Sequence, residues 1–152
     1  MSLHILAVGK KHESWVSEGI VMYQKRLKVP FMPEWGLLAH SSLAGLLARQ
    51  DESERILARL GAYDYIILLD ERGKTLDSPT FARMVKKQLD HSQKVLLIIG
   101  GAFGVTDELR IRANLVWSLS PLVFPHQLIR LMLMEQLYRA QQITIGGSYH
   151  HE

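Results

Sequence analysis

Short apolar runs alternate with segments of helical periodicity along nearly the whole chain. Strands are predicted at residues 3–8, 34–38, 65–69, 95–99 and 115–119, and helices at 14–27, 43–60, 78–91, 107–113 and 127–145. The runs at 65–69 and 95–99 are continuously apolar, which indicates strands buried on both faces, as in a parallel sheet. The alternation predicts an α/β fold, a mostly parallel sheet flanked by helices, in a single domain over residues 1–152.

The ends and faces of two predicted helices can be specified further. Ser41 or Ser42 is expected to cap the second helix, whose inward positions would be Leu43, Leu46, Leu47, Leu57 and Leu60. Ser78 would cap the third helix, with Pro79 at its first helical position. The preceding strand is expected to end at Leu69, in a turn over residues 70–74.

The last predicted helix is apolar nearly all round. Its apolar positions are Leu128, Ile129, Leu131, Met132, Leu133, Met134, Leu137, Tyr138, Ala140 and Ile143. Such a helix needs a second covering surface, and the same helix of another copy is the commonest solution. We therefore expect a homodimer joined through this helix, the alternative being the central helix of a monomer.

Composition restricts the class of protein only loosely. The net charge of +3 permits an RNA partner without requiring one. The chain has no cysteine, which excludes disulfides and thiolate zinc sites and is consistent with a cytoplasmic location. No apolar run approaches the roughly 20 residues of a membrane span, and no signal segment is recognisable at the N-terminus. We expect a cytoplasmic protein without membrane association.

Ligands of open parallel sheets bind beyond the carboxyl ends of the strands. These ends are predicted at residues 9–10, 69–70, 100–101 and 119–120. Gly100, Gly101 and Gly104 would let the backbone approach a ligand closely, although a tight strand-to-helix turn explains the same glycines. The chain contains neither the dinucleotide-binding fingerprint nor a phosphate-binding P-loop.

The loop before the last helix is restricted by Pro121 and Pro125. A rigid apolar loop that keeps free backbone groups suits an adenine ring, which needs a flat slot and hydrogen bonds to its edge. The pattern by itself favours a plain connection into the helix.

The last helix and the tail hold the candidate catalytic groups. Glu135 and Arg139 lie one turn apart, either as a surface ion pair worth about 0.3–0.5 kcal/mol or as a charge pair at a site. After Gly146 and Gly147, the tail offers Tyr149, His150, His151 and Glu152. Histidine is the natural proton acceptor near neutral pH, although chain termini are commonly disordered. A metal site on the tail is not expected, because one tripeptide rarely closes a coordination sphere.

Several ordered motifs of this chain match one family over nearly the whole length. They are Leu6-Ala7-Val8-Gly9-Lys10, the region from Tyr23 to Arg26, Leu69-Asp70 with Gly73-Lys74, Ile98-Ile99-Gly100-Gly101 with Gly104, Ser118-Leu119-Ser120, Phe124-Pro125-His126, Arg130, Glu135-Gln136-Leu137-Tyr138-Arg139-Ala140 and Tyr149-His150. On these motifs the chain resembles the bacterial large-subunit ribosomal RNA pseudouridine N3-methyltransferases of the SPOUT superfamily.

The resemblance implies a C-terminal trefoil knot that holds S-adenosylmethionine, and a homodimer that binds RNA and cofactor at a composite site. Carried over by position, the cofactor contacts would be Leu69, Gly100, Leu119, Ser120, Pro121, Leu122, Val123 and Phe124. The implied reaction is methylation of N3 of a pseudouridine in the helix 69 loop of 23S rRNA, on the assembled ribosome. The chain departs from the family at Val123, Ser148 and His151, where threonine, proline and a basic residue are common.

The same resemblance assigns roles to four side chains. His150 would act as general base, or Arg139 would stabilise the uracil anion. Tyr149 would stack on the target base or hydrogen bond to it, and Glu135 would orient Arg139. Two other classes stay open: a non-catalytic α/β module that binds the ribosome or RNA, and a metal-dependent hydrolase built on His126, His150 and His151.

Overall fold

The computed structural model describes residues 2–151; Met1 and Glu152, the ends of the predicted domain and tail, lie outside the described residues. The elements in chain order are β1 (Ser2–Val8), α1 (Ser14–Gln24), β2 (Glu34–Leu38), α2 (Gly45–Leu57), a 3-10 turn (Leu60–Ala62), β3 (Tyr65–Thr75), α3 (Ser78–Asp90), β4 (Lys94–Ile99), α4 (Asp107–Arg112), β5 (Leu115–Ser118) and α5 (His126–Ile145). Every predicted strand and helix is present. No helix within the described residues is both long and apolar enough to cross a membrane.

The five strands form one parallel sheet in the order β2-β1-β4-β3-β5. Alternate side chains of a strand point to opposite faces, and both faces of the central strand β4 are covered. Leu97 and Ile99 pack with α1, α3 and α5, whereas Leu96 and Ile98 pack with α2 and α4. The continuously apolar runs are therefore buried on both faces, and the predicted fold class is confirmed.

The predicted inward face of α2 is wrong for three leucines. Leu43, Leu46 and Leu47 are exposed by 50%, 73% and 66%, whereas Leu60 is buried and Leu57 partly buried, as predicted. The helix begins only at Gly45, after the backbone N-cap Ala44, so neither Ser41 nor Ser42 caps it. Its buried face instead carries Ala48, Glu52, Ser53 and Ile56. Glu52 and Ser53 occupy that face because they accept hydrogen bonds from the amides of neighbouring loops. A pattern of apolar residues cannot predict buried polar residues of this kind.

The ends of β3 and α3 also differ from the sequence prediction. β3 does not stop at Leu69; it continues to Thr75 and pairs with β5 again after a register shift between Leu69 and Lys74. Gly73 makes this close approach possible, because a Cβ there would lie 2.5 Å from the carbonyl oxygen of Val116. The N-cap of α3 is Asp77 rather than Ser78, and its carboxylate accepts a hydrogen bond from the Thr80 amide.

Helix α5 lies between α1 and α3 on one face of the sheet. All ten of its predicted apolar positions are buried or partly buried within this one chain. Because α1, α3 and the sheet cover these apolar side chains, the apolar surface of α5 does not by itself require a partner subunit. The helix ends at Gly146, whose φ of 73° is the left-handed C-cap conformation that glycine adopts most readily.

Candidate active site

A cavity of about 110 Å³ lies at the carboxyl edge of the sheet, where the segments after β3, β4 and β5 meet. This is the edge at which the sequence predicted ligand binding. Its apolar and glycine lining is Leu69, Ile99, Gly100, Gly101, Gly104, Val105, Trp117, Leu119, Leu122, Phe124 and Ile129, and its polar lining is Asp70, Glu71, Arg72, Ser120 and His126. The cavity is thus a mainly apolar slot with a polar rim.

Six of the eight predicted cofactor contacts line this cavity: Leu69, Gly100, Leu119, Ser120, Leu122 and Phe124. Pro121 and Val123 do not line it; they lie exposed on the same loop. The loop is held in shape locally, since Ser118 Oγ donates to the Ser120 carbonyl at 2.8 Å and the Leu122 amide donates to Ser120 Oγ at 3.1 Å. These two hydrogen bonds within the loop support a defined loop conformation.

Helix α2 supports the glycine loop that forms one wall of the cavity. The Arg49 Nε donates to the Phe103 carbonyl at 2.7 Å, and the Thr106 amide donates to Ser53 Oγ at 3.0 Å. A Cβ on Gly101 would lie 2.4 Å from Glu52 Oε1, and one on Gly100 would lie 2.8 Å from Val105 Cγ1. Both glycines are therefore required by close packing beneath the cavity.

Asp70 fixes the opposite wall. Its carboxylate accepts hydrogen bonds from the Arg72 amide at 2.9 Å and from Arg110 Nε at 3.2 Å. Burial would raise the pKa of Asp70, but the hydrogen bonds from Arg72 and Arg110 outweigh it, so the pKa is lowered below its usual value. Arg110 also donates to the Val105 carbonyl at 3.3 Å, which connects the β3 wall to the segment after β4.

We expect Asp70→Asn to lower the free energy of unfolding by about 1–2 kcal/mol at neutral pH, because charge-assisted hydrogen bonds are replaced by neutral ones. A lowered folded-state pKa stabilises the fold at pH values above the unfolded pKa of about 3.9. The difference between variant and wild type should therefore be constant above about pH 5 and shrink as the pH falls through the folded pKa.

Urea titrations at several pH values would measure this difference. Asp51→Asn, which removes one partner of a half-exposed i,i+4 pair with Arg55, serves as the control and should cost less than about 0.5 kcal/mol. A difference for Asp70→Asn that grows on acidification would contradict the assigned ion pairing.

The four predicted catalytic side chains converge in the structure. Arg139 Nε donates to Glu135 Oε1 at 2.8 Å, and its Nη2 donates to Glu135 Oε2 at 3.3 Å. Arg139 Nη1 lies 3.0 Å from His150 Nδ1, and the Arg139 guanidinium lies 4.7 Å from the centre of the Tyr149 ring. The partly buried pair is thus the centre of the cluster rather than a surface ion pair.

The contact between Arg139 and His150 fixes a hydrogen position. An arginine can only donate, so His150 Nδ1 is the acceptor. This contact places the ring hydrogen on Nε2. In this arrangement His150 offers an N–H donor to a ligand.

A groove of about 920 Å³ adjoins the cavity and is lined by two members of this cluster, Glu135 and His150, whereas Arg139 and Tyr149 lie behind them and do not line it. Glu135, His150 and His151 line the groove, and two residues, Trp117 and Leu119, line both groove and cavity. The two spaces therefore meet at β5 and the residue that follows it. A ligand in the cavity and a planar base in the groove would be separated only by this boundary.

Sequence reasoning assigned no role at the cavity to Trp117, and it named His126 and Arg130 only within motifs or as a possible metal ligand. Trp117 belongs to the wall between the two spaces, where it stacks on Phe81 with ring centres 4.1 Å apart. His126 lines the cavity, and burial together with the charge of Arg130 lowers its pKa, so its ring is neutral at pH 7. The fully buried Arg130 donates to the carbonyls of Val8 and Gly9 at 3.0 and 3.2 Å. Helical periodicity alone did not indicate that Arg130 binds the end of β1 and the residue after it.

The three histidines of the hydrolase hypothesis do not meet. His126 lines the cavity, whereas His150 and His151 line the groove. Over residues 2–151 the structure contains no group of three histidine, cysteine or acidic side chains arranged to hold a metal ion. The described part of the chain therefore offers no convergent ligand set for that chemistry.

Comparison with known proteins identifies related sequences along the full chain. A family model described as "Predicted SPOUT methyltransferase" matches residues 1–150. A protein of Desulfitobacterium hafniense named "Ribosomal RNA large subunit methyltransferase H" is 41% identical, over 99% of each chain. Proteins with the same name from Prochlorococcus marinus and Pelobacter propionicus are 41% and 38% identical, and the alignments cover 98% and 99% of this chain and 92% and 100% of theirs.

Solved structures with a similar fold are more distant in sequence. A protein of Haemophilus influenzae described as a "probable methylase family protein" superposes with a TM-score of 0.58 at 10% identity, covering 99% of this chain and 70% of that one. A protein of Neisseria gonorrhoeae described as a "putative methylase family protein" superposes with a TM-score of 0.53 at 13% identity, covering 99% of this chain and 87% of that one. These likenesses concern the fold alone. Together with the match of the family model over residues 1–150, the α/β fold and the cavity at its carboxyl edge show that this chain belongs to the SPOUT methyltransferase family.

Proposed function

We propose that this protein transfers a methyl group from S-adenosylmethionine to N3 of a pseudouridine in the helix 69 loop of 23S rRNA, on the assembled ribosome. The observation that carries the proposal is the adjacency of an apolar cavity and a polar groove across Trp117 and Leu119. The names of relatives about 40% identical supply the class of substrate, a large-subunit ribosomal RNA. The trefoil knot expected from the resemblance belongs to the same proposal.

The cavity suits an adenosine group. Leu69, Leu119, Leu122, Phe124 and Ile129 offer apolar surface for a flat ring. Gly100 and Gly101, which follow β4, line the cavity without a side chain, so a ligand can approach their backbone closely. When bound, S-adenosylmethionine supplies an electrophilic methyl group on a sulfonium, so the protein needs mainly to position the two reactants.

The groove would hold and activate the target base. Methylation at N3 requires loss of the imide proton, which leaves negative charge on the ring. Arg139, oriented by two bonds to Glu135, offers a fixed positive charge to stabilise that anion. In the tautomer set by Arg139, His150 Nε2–H offers a further donor, so we assign His150 to anion stabilisation and the proton to solvent. Tyr149 would stack on the base or hydrogen bond to it.

The test is methyl transfer to ribosomes. Purified protein is incubated with tritium-labelled S-adenosylmethionine and with ribosomes from cells that lack this protein. The helix 69 fragment is then analysed by mass spectrometry. A gain of one methyl group on a pseudouridine of this fragment is expected. Label elsewhere in the RNA would contradict the proposed target. Cofactor binding without any transfer would instead favour a non-catalytic module that binds the ribosome.

We also propose that two copies associate through α5 and the loop before it. Leu122 and Val123 are 67% and 79% exposed in the loop before this helix, and neighbouring exposed apolar residues commonly mark protein interfaces. We expect a dimeric mass by light scattering at micromolar concentration. The double variant Leu122→Ser/Val123→Ser should shift the protein toward monomer, whereas Leu46→Ser, an exposed leucine on α2, should not. A monomeric wild-type protein would contradict the interface.

A further inference from the structure

A chain of hydrogen bonds crosses the groove from the start of α3 to α5. The Ser78 hydroxyl donates to Gln136 Oε1 at 2.7 Å, and Gln136 Nε2 donates to Glu135 Oε1 at 3.2 Å. All three side chains line the groove, together with His150 of the tail. Neither Ser78 nor Gln136 has a role in the reaction as described so far.

The direction of each hydrogen bond in this chain follows from Glu135. Glu135 is ion-paired with Arg139 and, as a carboxylate, can only accept hydrogen bonds. The amide atom that faces it must therefore be Gln136 Nε2, which places Oε1 toward Ser78. Because a carbonyl oxygen can only accept, the Ser78 hydroxyl donates its single hydrogen to Gln136. Toward a ligand in the groove, Ser78 Oγ then offers only lone pairs.

The start of α3 thus presents hydrogen-bond acceptors to the groove. Asp77 also lines the groove as an acceptor, but it is exposed and one of its oxygens caps the Thr80 amide. Ser78 is the partly buried acceptor of this pair. Arg83, one turn further along, is exposed and donates to Thr80 Oγ1. The tail contributes a donor, the Nε2–H of His150, so acceptors and donors enter the groove from different elements.

Pseudouridine differs from uridine in the one hydrogen that such an acceptor would bind. Its ribose is attached through carbon, so ring nitrogen N1 keeps a hydrogen, whereas N1 of uridine carries the ribose. Once N3 has lost its proton for methylation, N1–H is the only N–H left on the pseudouridine ring, and uridine has none. A site built to hydrogen bond one group of a substrate disfavours the analogue that lacks that group.

We propose that Ser78 is a specificity-determining residue: its Oγ accepts a hydrogen bond from N1–H of the target pseudouridine, and Gln136 holds the hydroxyl in the accepting orientation. The inference rests on the proposed methyl transfer and adds the group that distinguishes pseudouridine from uridine. Neither Ser78 nor Gln136 lines the cofactor cavity, so binding of S-adenosylmethionine should not depend on them.

The test compares ribosomes that carry pseudouridine at the target position with ribosomes that carry uridine there. Transfer rates are measured with enzyme in excess, so that slow transfer to uridine is counted. For Ser78→Ala we expect the rate on pseudouridine to fall about 3- to 10-fold, the effect of one hydrogen bond, and the rate on uridine to stay unchanged. The N-cap of α3 is Asp77, so this variant keeps the cap and should melt within a few degrees of the wild type. Ser17→Ala on α1, away from the groove, should leave both rates unchanged.

A second variant, Gln136→Met, separates specificity from support of Glu135. It removes the amide and frees the Ser78 hydrogen, so the preference for pseudouridine should fall, and both rates should also fall because Glu135 loses a donor. In the Ser78→Ala background, Gln136→Met should not lower the preference further.

Equal losses on the two substrates in Ser78→Ala would overturn the role in specificity and leave Ser78 as a support for Gln136. An unchanged rate on pseudouridine in Ser78→Ala would overturn it as well, as would a wild type that methylates both substrates equally. A wild type that methylates neither substrate would refute the proposed function itself, and this inference with it.

Discussion

A chain that ends at Ser148 should bind S-adenosylmethionine with nearly wild-type affinity but lose methyl transfer to ribosomes by about 100-fold or more. The cavity lining contains no residue beyond Ile129, so the truncation leaves it intact. The groove loses His150 and His151, and Arg139 loses its contacts with Tyr149 and His150. Positioned polar groups in a transition state contribute roughly 100- to 10,000-fold, which sets the expected size.

Calorimetry would measure cofactor binding, and tritium transfer to ribosomes would measure activity. Full transfer by the truncated chain would remove the tail from the mechanism. A point variant separates the two roles of His150: His150→Asn keeps an N–H donor but provides no base near neutral pH. It should retain clearly more activity than His150→Ala if the ring stabilises the anion, and no more than His150→Ala if the ring is the base.

Gly73→Ala should lower the free energy of unfolding by about 3 kcal/mol or more, a large effect for the addition of one methyl group. A Cβ at this position would lie 2.5 Å from the carbonyl oxygen and 2.6 Å from the carbonyl carbon of Val116, and 2.9 Å from the amide nitrogen of Trp117. These are backbone atoms of β5, which cannot rotate away, so the second β3–β5 pairing at Lys74 and Trp117 must open.

Gly61→Ala is the matched control. A Cβ on Gly61 would have no other atom within 4 Å, so this variant should be as stable as the wild type or slightly more so. Thermal melts would measure both, with an expected fall of roughly 6–12 °C for Gly73→Ala. Trp117 and Leu119 form the boundary between cavity and groove, so the displacement of β5 should also reduce cofactor binding. Equal melting temperatures for the two variants would contradict the close strand pairing.

The sequence by itself determined the order and type of the five strands and the five α-helices, but not the 3-10 turn at Leu60–Ala62. The runs of five apolar residues that begin at Tyr65 and Val95 indicated strands buried on both faces, as in a parallel sheet, and the α/β class was predicted from them together with the alternation of strands and helices. The edge of the sheet that carries the cavity followed as well, because parallel strands place all their carboxyl ends together. The residues of the cofactor loop and the catalytic tail came from resemblance, since their patterns alone favoured a connection and a frayed terminus.

Only the tertiary structure decided which side chains are covered and which ones meet. Leu46 and Leu47 satisfy a helical apolar pattern yet lie in solvent, because Glu52 and Ser53 occupy the buried face to bind neighbouring loops. The extension of β3 past Leu69 depends on how closely Gly73 lets it approach β5. Tyr23 of α1 and Tyr138 of α5 are far apart in the chain, yet their ring centres lie 5.9 Å apart, and no local periodicity relates them. Contacts of this kind depend on how α1, α5 and the tail pack against one another, and local sequence patterns do not predict that packing.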